Sequence, residues 1–456
     1  MNKESFNIEL LKWLDSTPIL QGQPHLDAEA LSTFVFAGDQ LLSTLGAKYR
    51  RTADQEMLAN RIYIACRRIR RDFLTIHTTW LYNKLTLHKT CYLRIAELAA
   101  LAARKFPGLL PSEERMHVEN SLPQSHKEGL EIDQAIFFRE LLRVPDVGSH
   151  LISAMQRPTS FALALNEEFD RTGRADLGSV QVERISSAAH LTIYNPHCLN
   201  AEDNELTRNM ETAIDLILMN NDVKVGVIRG GYMNHPKFAG QRVFSAGINL
   251  KNLSAGKISF VEFLLQRELG YINKIFRGLV VERSLEGGVS NITEIEKPWV
   301  GIIDNFAIGG GAQLLLVLDR VLAATNSFIS LPAANEGIIP GFANLRLGRM
   351  VGQRMARQMV LGGRIIQAVE PDARYLIDEI FDAQDPDASI KRNVDSLCNP
   401  AVIANRRLLH LAEEPLEEFR RYAAEFALLQ ATRLYSTDVL NNLQRQEAVR
   451  AVMGAR

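Results

Sequence analysis

From about Val180 onward, short β-branched runs alternate with amphipathic stretches, and this alternation constrains the fold more than any other feature of the chain. VERISSAAHLTIYNP, VKVGVIRGG (Val223 to Gly231), PWVGIID (Pro298 to Asp304) and RVLAATNSFISLP read as strands. Between them AEDNELTRNMETAIDLILMN (Ala201 to Asn220) carries Leu206, Met210, Ala213, Ile214 and Ile217 on one helical face. Strands separated by helices of this length predict βα units around a mostly parallel sheet, an α/β core.

The flanks have a different texture. Residues 1–178 are rich in Leu, Ala, Arg and Glu at helical spacing, as in AELAALAARKF, and strand-like alternation is scarce. Beyond residue 399 the chain returns to amphipathic helix, interrupted at Pro415. The expected organisation is therefore a helical domain over 1–178, an α/β core over 179–398 and a C-terminal helical segment over 399–456. The run RRIRRDF in the first part reads as a solvated or salt-bridged helix face and is given no function.

Composition narrows the partners. The 52 basic and 53 acidic residues leave a formal charge of -1, which argues against nucleic acid or an anionic membrane as the main partner. The four cysteines contain no C-x-x-C pair, so neither a disulfide framework nor a zinc ribbon is written, and a reducing cytoplasm is expected. No apolar run is long enough for a membrane span, and the N-terminus lacks the uninterrupted apolar stretch of a secretory signal.

Two glycine-bearing segments carry the chemistry: FSAGINLK (Phe244 to Lys251) and AIGGGAQ (Ala307 to Gln313). Glycine permits close backbone approach, and N–H groups in the first turn of a helix lack intrahelical partners, so each segment can aim a donor at a developing oxyanion. Glycines at such a place also serve plain helix–strand packing, and the spacing alone does not decide between the two. Neither G-x-x-x-x-G-K-[ST] nor a strand-linked G-x-G-x-x-G occurs, which disfavours nucleotide hydrolysis and hydride transfer. The one close metal-ligand-like pair is His88 and Cys91, expected one helical turn apart, and no metal is expected.

In order along the chain, FSAGINL, EKPWVGIIDNFAIGGGAQLLLVLDRVLAAT and FISLPAANEGIIPGFANLRLGRMVG resemble the successive signatures of the crotonase (enoyl-CoA hydratase/isomerase) superfamily. The resemblance implies a crotonase-like core and an acyl-CoA thioester whose carbonyl lies between the backbone N–H groups of Ile248 and Gly310. It also exposes a departure. The two glutamates that hydratases use as acid and base are replaced by Gln313 and Ala333, neither of which can exchange the required proton.

The long helical N-terminal region, with NAEDNEL and QRELGY, is similar to an oxygenase branch of the superfamily that works with molecular oxygen and no metal or organic cofactor. That likeness implies Glu202, Arg267 and Gln313 as partners of ring hydroxyls. It implies 3,5-dihydroxyphenylacetyl-CoA as substrate, an arylglyoxylate and free CoA as products, and a place in dihydroxyphenylglycine and antibiotic biosynthesis. Homo-oligomers, trimers or pairs of trimers, are implied as well. His235, in GGYMNHPKFAG, is a candidate for proton handling, and Ile338, in EGIIPG, for an apolar wall beside the oxygen site. An isomerase or thioester hydrolase of the same superfamily, and a noncatalytic acyl-CoA-binding protein, are the alternatives.

Overall fold

The computed structural model describes residues 3–284, 290–382 and 386–454. The chain divides into two compact units rather than three consecutive segments. One comprises Met1–Ala154, Ser254–Val261 and Ala423–Gln444; the other comprises Met155–Leu253, Glu262–Tyr422 and Arg445–Arg456.

The first unit is helical. Its longest helix, Ala53–Leu85, opens on a capping box in which Thr52 and Gln55 satisfy each other's backbone N–H groups. The basic run lies on this helix and splits by burial. Arg67 and Arg70 both pair with Asp133, at 3.1 and 3.0 Å, whereas Arg68 and Arg71 face solvent. This is the salt-bridged face that a basic run on a helix usually supplies. The helix ends at Leu85, so His88 and Cys91 occupy the turn beyond it, with His88 at φ 56°, and are not stacked one helical turn apart.

The second unit is built on a seven-stranded sheet. Its spatial order is Arg174–Asp176, Val180–Ile185, Ala188–Ile193, Val225–Gly230, Trp299–Ile303, Arg320–Ala324 and Glu379–Phe381. The first three strands pair antiparallel, and every pairing from Ala188–Ile193 onward is parallel. Trp299–Ile303 is buried at all five positions, as a strand covered on both faces must be. Trp299 and Ile303 enter the larger apolar core, and Val300 and Ile302 enter a smaller one completed by Ile390, Val394 and Leu397 of the helix Pro386–Leu397.

The helix Asn204–Met219 buries Leu206, Met210, Ala213, Ile214 and Ile217 in the larger core, the face its spacing predicts. A second, three-stranded sheet joins Phe306–Ile308 to Phe328–Ser330 in parallel, and the latter to Ile365–Gln367 antiparallel. Pro415 separates the helices Pro400–Glu413 and Leu416–Leu434. Among the described residues no helix is long and apolar enough to cross a membrane.

Candidate active site

Two loops of the second unit meet at glycines. The segment holding Ile248 is tied down by two isolated parallel bridges, Ser245 with Ala307 and Glu202 with Ile248. Glu202 N–H donates to Gly247 O at 2.7 Å, and Asn249 N–H donates to Glu202 O at 2.8 Å. In a parallel pairing these bonds go to the residues on either side of Ile248, which turns its own N–H to the opposite side of the segment.

Gly247 has φ +83°, and a Cβ built there would lie 3.1 Å from Ile308 O and 3.4 Å from Gly310 N. Only glycine lets the backbone at 247 come this close to the neighbouring loop in that conformation. Across the contact, Gly309 caps a short helix, Gly310–Leu315, whose first bond runs from Gln313 N–H to Gly309 O at 3.0 Å. Two of the three glycines thus fall inside the helix. The N–H groups of Ile248 and Gly310 make no hydrogen bond among the described residues.

Beneath these donors lies a buried guanidinium. Arg267 is 3% exposed and commits all five of its N–H donors. Nε and Nη2 donate to the two carboxylate oxygens of Glu202, and Nη2 also donates to Gly310 O at 2.7 Å. Nη1 donates to Glu268 Oε1 at 2.7 Å and to Gln313 Oε1 at 2.9 Å.

One side chain therefore fixes Glu202, the Gly310 carbonyl and Gln313 together. Because arginine only donates, the amide oxygen of Gln313 must face it, and the –NH2 of this half-buried residue points elsewhere. That nitrogen makes no hydrogen bond among the described residues. The two N–H donors of Gln313 are thus turned away from the guanidinium.

The charge pattern continues inward. Arg346 lies 3.9 Å from Glu268 and bonds Glu414 at 2.8 Å, and Glu414 also receives Arg277 at 2.8 Å. Burial raises the carboxyl pKa of Glu268, against the opposing pull of Arg267 and Arg346. For Glu414 burial pushes the same way, but Arg346 and Arg277 overcome it and hold the carboxyl below its ordinary value. Burial likewise disfavours the charge on Arg267, yet Glu202 and its other neighbours keep it firmly protonated. Tyr271 lies under this guanidinium, and burial raises its phenol well above the usual range.

Arg267 reaches these partners because its segment is not a regular helix. Wide π-type turns at Phe260–Leu265 and Glu268–Ile272 flank it, the kind of insertion that re-aims side chains. Gly270, at φ -91° and ψ -109°, leaves room for the Glu211 carboxylate, which a Cβ would meet at 2.8 Å. Glu211 and Asp215 in turn bond the fully buried Lys274 at 2.9 and 2.7 Å.

The remaining candidates sit apart from this cluster in character. His235 is half-buried in a surface turn, where its Nδ1 accepts from Lys237 N–H at 3.3 Å. Ile338 is also half-buried; its N–H donates to the carbonyl of Ala333, whose methyl is 4% exposed.

Sequence reasoning missed Glu268, Arg346, Glu414 and Gly341. It also passed over Glu336, one turn beyond Ala333. The Glu336 carboxyl makes no hydrogen bond or ion pair among the described residues, and burial pushes its pKa up to about 7. A carboxyl that holds its proton in the fold but loses it in the unfolded chain penalises folding as pH rises from the ordinary glutamate range toward 7. Glu336→Gln should flatten that slope and stabilise the protein above pH 7 by roughly 1–3 kcal/mol. Melting curves between pH 4.5 and 8 check this; parallel profiles for the two proteins would refute it. Among the described residues no three His, Cys, Asp or Glu side chains gather as a metal site.

The chain belongs to the enoyl-CoA hydratase/isomerase family, whose model matches residues 183–453. It is 49% identical over 427 residues to the (3,5-dihydroxyphenyl)acetyl-CoA 1,2-dioxygenase of Amycolatopsis orientalis, covering 94% of this chain and 97% of that protein. It is 26% identical over 231 residues to the short-chain-enoyl-CoA hydratase of Clostridium acetobutylicum, covering 50% of this chain and 78% of the relative. An enoyl-CoA hydratase structure from Mycobacterium avium subsp. paratuberculosis matches 60% of this chain and 97% of its own, at 22% identity and a TM-score of 0.48.

Proposed function

We infer that the protein is an acyl-CoA dioxygenase that converts an arylacetyl-CoA, 3,5-dihydroxyphenylacetyl-CoA by likeness, and O2 to the arylglyoxylate and free CoA, without metal or organic cofactor. The observation that carries this reading is the 49% identity to the Amycolatopsis dioxygenase along nearly the whole chain. The chemistry of the site supports it. Ile248 and Gly310 offer fixed donors to the thioester oxygen, where an enolate gathers charge, and one such donor is worth roughly 3 kcal/mol. Gln313 and Ala333 leave the hydratase acid/base pair empty.

Loss of one α-proton gives the enolate, which transfers an electron to O2; recombination forms a C–O bond at the α-carbon. The resulting peroxide attacks the thioester carbonyl and expels CoA as thiolate. Cleavage of the O–O bond with loss of the second α-hydrogen as a proton leaves the α-keto acid. Both oxygen atoms end in the product, and no external reductant is consumed. Glu202 and the Gln313 –NH2, held by Arg267, are the proposed partners of the ring hydroxyls; Ile338 is proposed as apolar wall for oxygen and His235 as proton acceptor.

Incubation with 3,5-dihydroxyphenylacetyl-CoA should consume one O2 per thiol released, and turnover should survive exhaustive chelation. Thiol release without oxygen uptake, or chelator-sensitive turnover restored by iron, would overturn the reading.

A further inference from the structure

The side chain at position 313 is an amide in a place where the family's hydratases carry a glutamate, and the structure shows what stands against a carboxylate there. Nη1 of Arg267 has two hydrogens. One goes to Glu268 Oε1 and the other to Gln313 Oε1. Both acceptor oxygens converge on one point above the Gly341 Cα, since a Cβ built at that residue, with φ +44°, would lie 2.2 Å from the first and 2.3 Å from the second. They lie side by side on a single nitrogen.

The same guanidinium already bonds both oxygens of Glu202. A carboxyl at 313 would be the third on one buried cation, side by side with that of Glu268. Like charges so placed do not both ionise.

We propose that Glu268 is a positioning residue that excludes an ionised carboxylate from position 313, and thereby keeps that side chain a neutral donor facing the site. The proposal rests on the reading of the site given above, but its determinant, Glu268, does not touch the proposed substrate. Glu268 occupies one Nη1 hydrogen and sets its carboxyl oxygen beside that of residue 313, so a second carboxyl there would share a site with it and the two could not both ionise, whereas a neutral group accepts the other hydrogen without conflict. An amide does this and keeps two N–H donors for the ligand. The charged and titratable groups facing the pair are Arg267, Glu202, Arg346, Glu414 behind Arg346, and Tyr271. Tyr422 completes the set, its hydroxyl donating to Gly341 O at 3.0 Å. Among the described residues only Arg267 and Arg346 favour ionisation at this place, and Arg346 is already bonded to Glu414.

A four-protein cycle tests this: wild type, Gln313→Glu, Glu268→Gln and the double substitution, each melted between pH 5 and 8. In Gln313→Glu the new carboxyl should hold its proton in the fold. Its stability is then intact at low pH and lost as pH rises through the raised pKa, so the melting temperature should fall by several degrees toward pH 8. Adding Glu268→Gln removes the neighbouring titratable carboxyl, lets residue 313 ionise against Arg267, and should return most of that loss. The two substitutions should be coupled by at least about tenfold in the folding equilibrium at pH 8.

Oxygen-dependent thiol release should follow the same pattern, with a pH midpoint in Gln313→Glu that moves down by a unit or more in the double variant. Additive melting changes with an unmoved midpoint would overturn the proposal. If Glu268→Gln does not fold, a flat profile for Gln313→Glu at wild-type stability would overturn it equally. Melting needs no turnover, so a wild-type protein inactive toward arylacetyl-CoA would defeat the functional reading while the cycle still decides the role of Glu268.

Discussion

Replacing Arg267 with methionine should lower the melting temperature by roughly 10 °C and cut turnover of a dihydroxylated arylacetyl-CoA on the order of 100-fold or more. Methionine fills much of the volume but donates nothing. Glu202 would then remain in the interior, 5% exposed, without the cation that holds it, and Glu268, 2% exposed, would keep only Arg346 at 3.9 Å; breaking a buried pair in this way costs about 3–5 kcal/mol. The catalytic loss has a different origin. Arg267 has no N–H to spare for a ligand, so in the proposed reading it acts by presenting Glu202, the Gly310 peptide and the Gln313 amide in one geometry.

Arg267→Lys should rescue little, because an ammonium lacks the planar fork that grips both oxygens of Glu202. Melting curves and steady-state rates on the dihydroxylated and the unsubstituted phenylacetyl-CoA measure both effects. An equal loss on the two substrates would remove hydroxyl recognition from this cluster. An unchanged melting temperature would remove the buried charge argument.

Gly247→Ala should reduce kcat by about 100-fold or more while leaving KM within a few-fold. The residue has φ +83°, where a side chain costs about 1–2 kcal/mol, and the added methyl would press on Ile308 O and on the backbone at Gly310. The loop could relieve that contact only by separating the Ile248 and Gly310 donors. In the proposed reading such a change leaves the remainder of the site intact, so ground-state binding persists while charge on the thioester oxygen goes unsupported. Rates and KM for wild type and variant, with melting curves as a folding control, decide the matter. A kcat within threefold of wild type would detach these glycines from catalysis.

Much of this was legible because it depends on local backbone physics. β-Branched runs gave the strands around Val225–Gly230 and Trp299–Ile303, and the five apolar positions of Asn204–Met219 marked the buried helical face. The positive φ of Gly247 and the helix start at Gly310 follow from glycine at those positions.

Glu268 was not legible. Neighbours on a regular helix point about 100° apart, so an Arg-Glu dipeptide gives no sign that both side chains meet; the wide turns on either side allow it. Gly341, Arg346 and Glu414 lie far along the chain from Arg267, and no spacing rule connects them. The boundary between Tyr422 and Ala423 falls inside one continuous amphipathic helix, Leu416–Leu434, where composition does not change.

The wide-turned segment also works as a ruler. Reading along it, Gln266, Arg267 and Lys274 meet acids at 211, 202 and the pair 211 and 215, so its polar teeth engage a fixed set of notches along and just ahead of the helix Asn204–Met219. Apolar surfaces tolerate sliding by a residue; buried charges do not, since a one-residue offset would strand Lys274 and Arg267 simultaneously in a dry interior. Removing a single residue between Glu268 and Ile272 would offset Lys274 from Arg267, so that the two could not both meet their acids, even though it deletes no charge. Loop insertions elsewhere would be absorbed, but the length of this stretch is set by electrostatics, and the aim of the guanidinium under the two glycine loops is set with it.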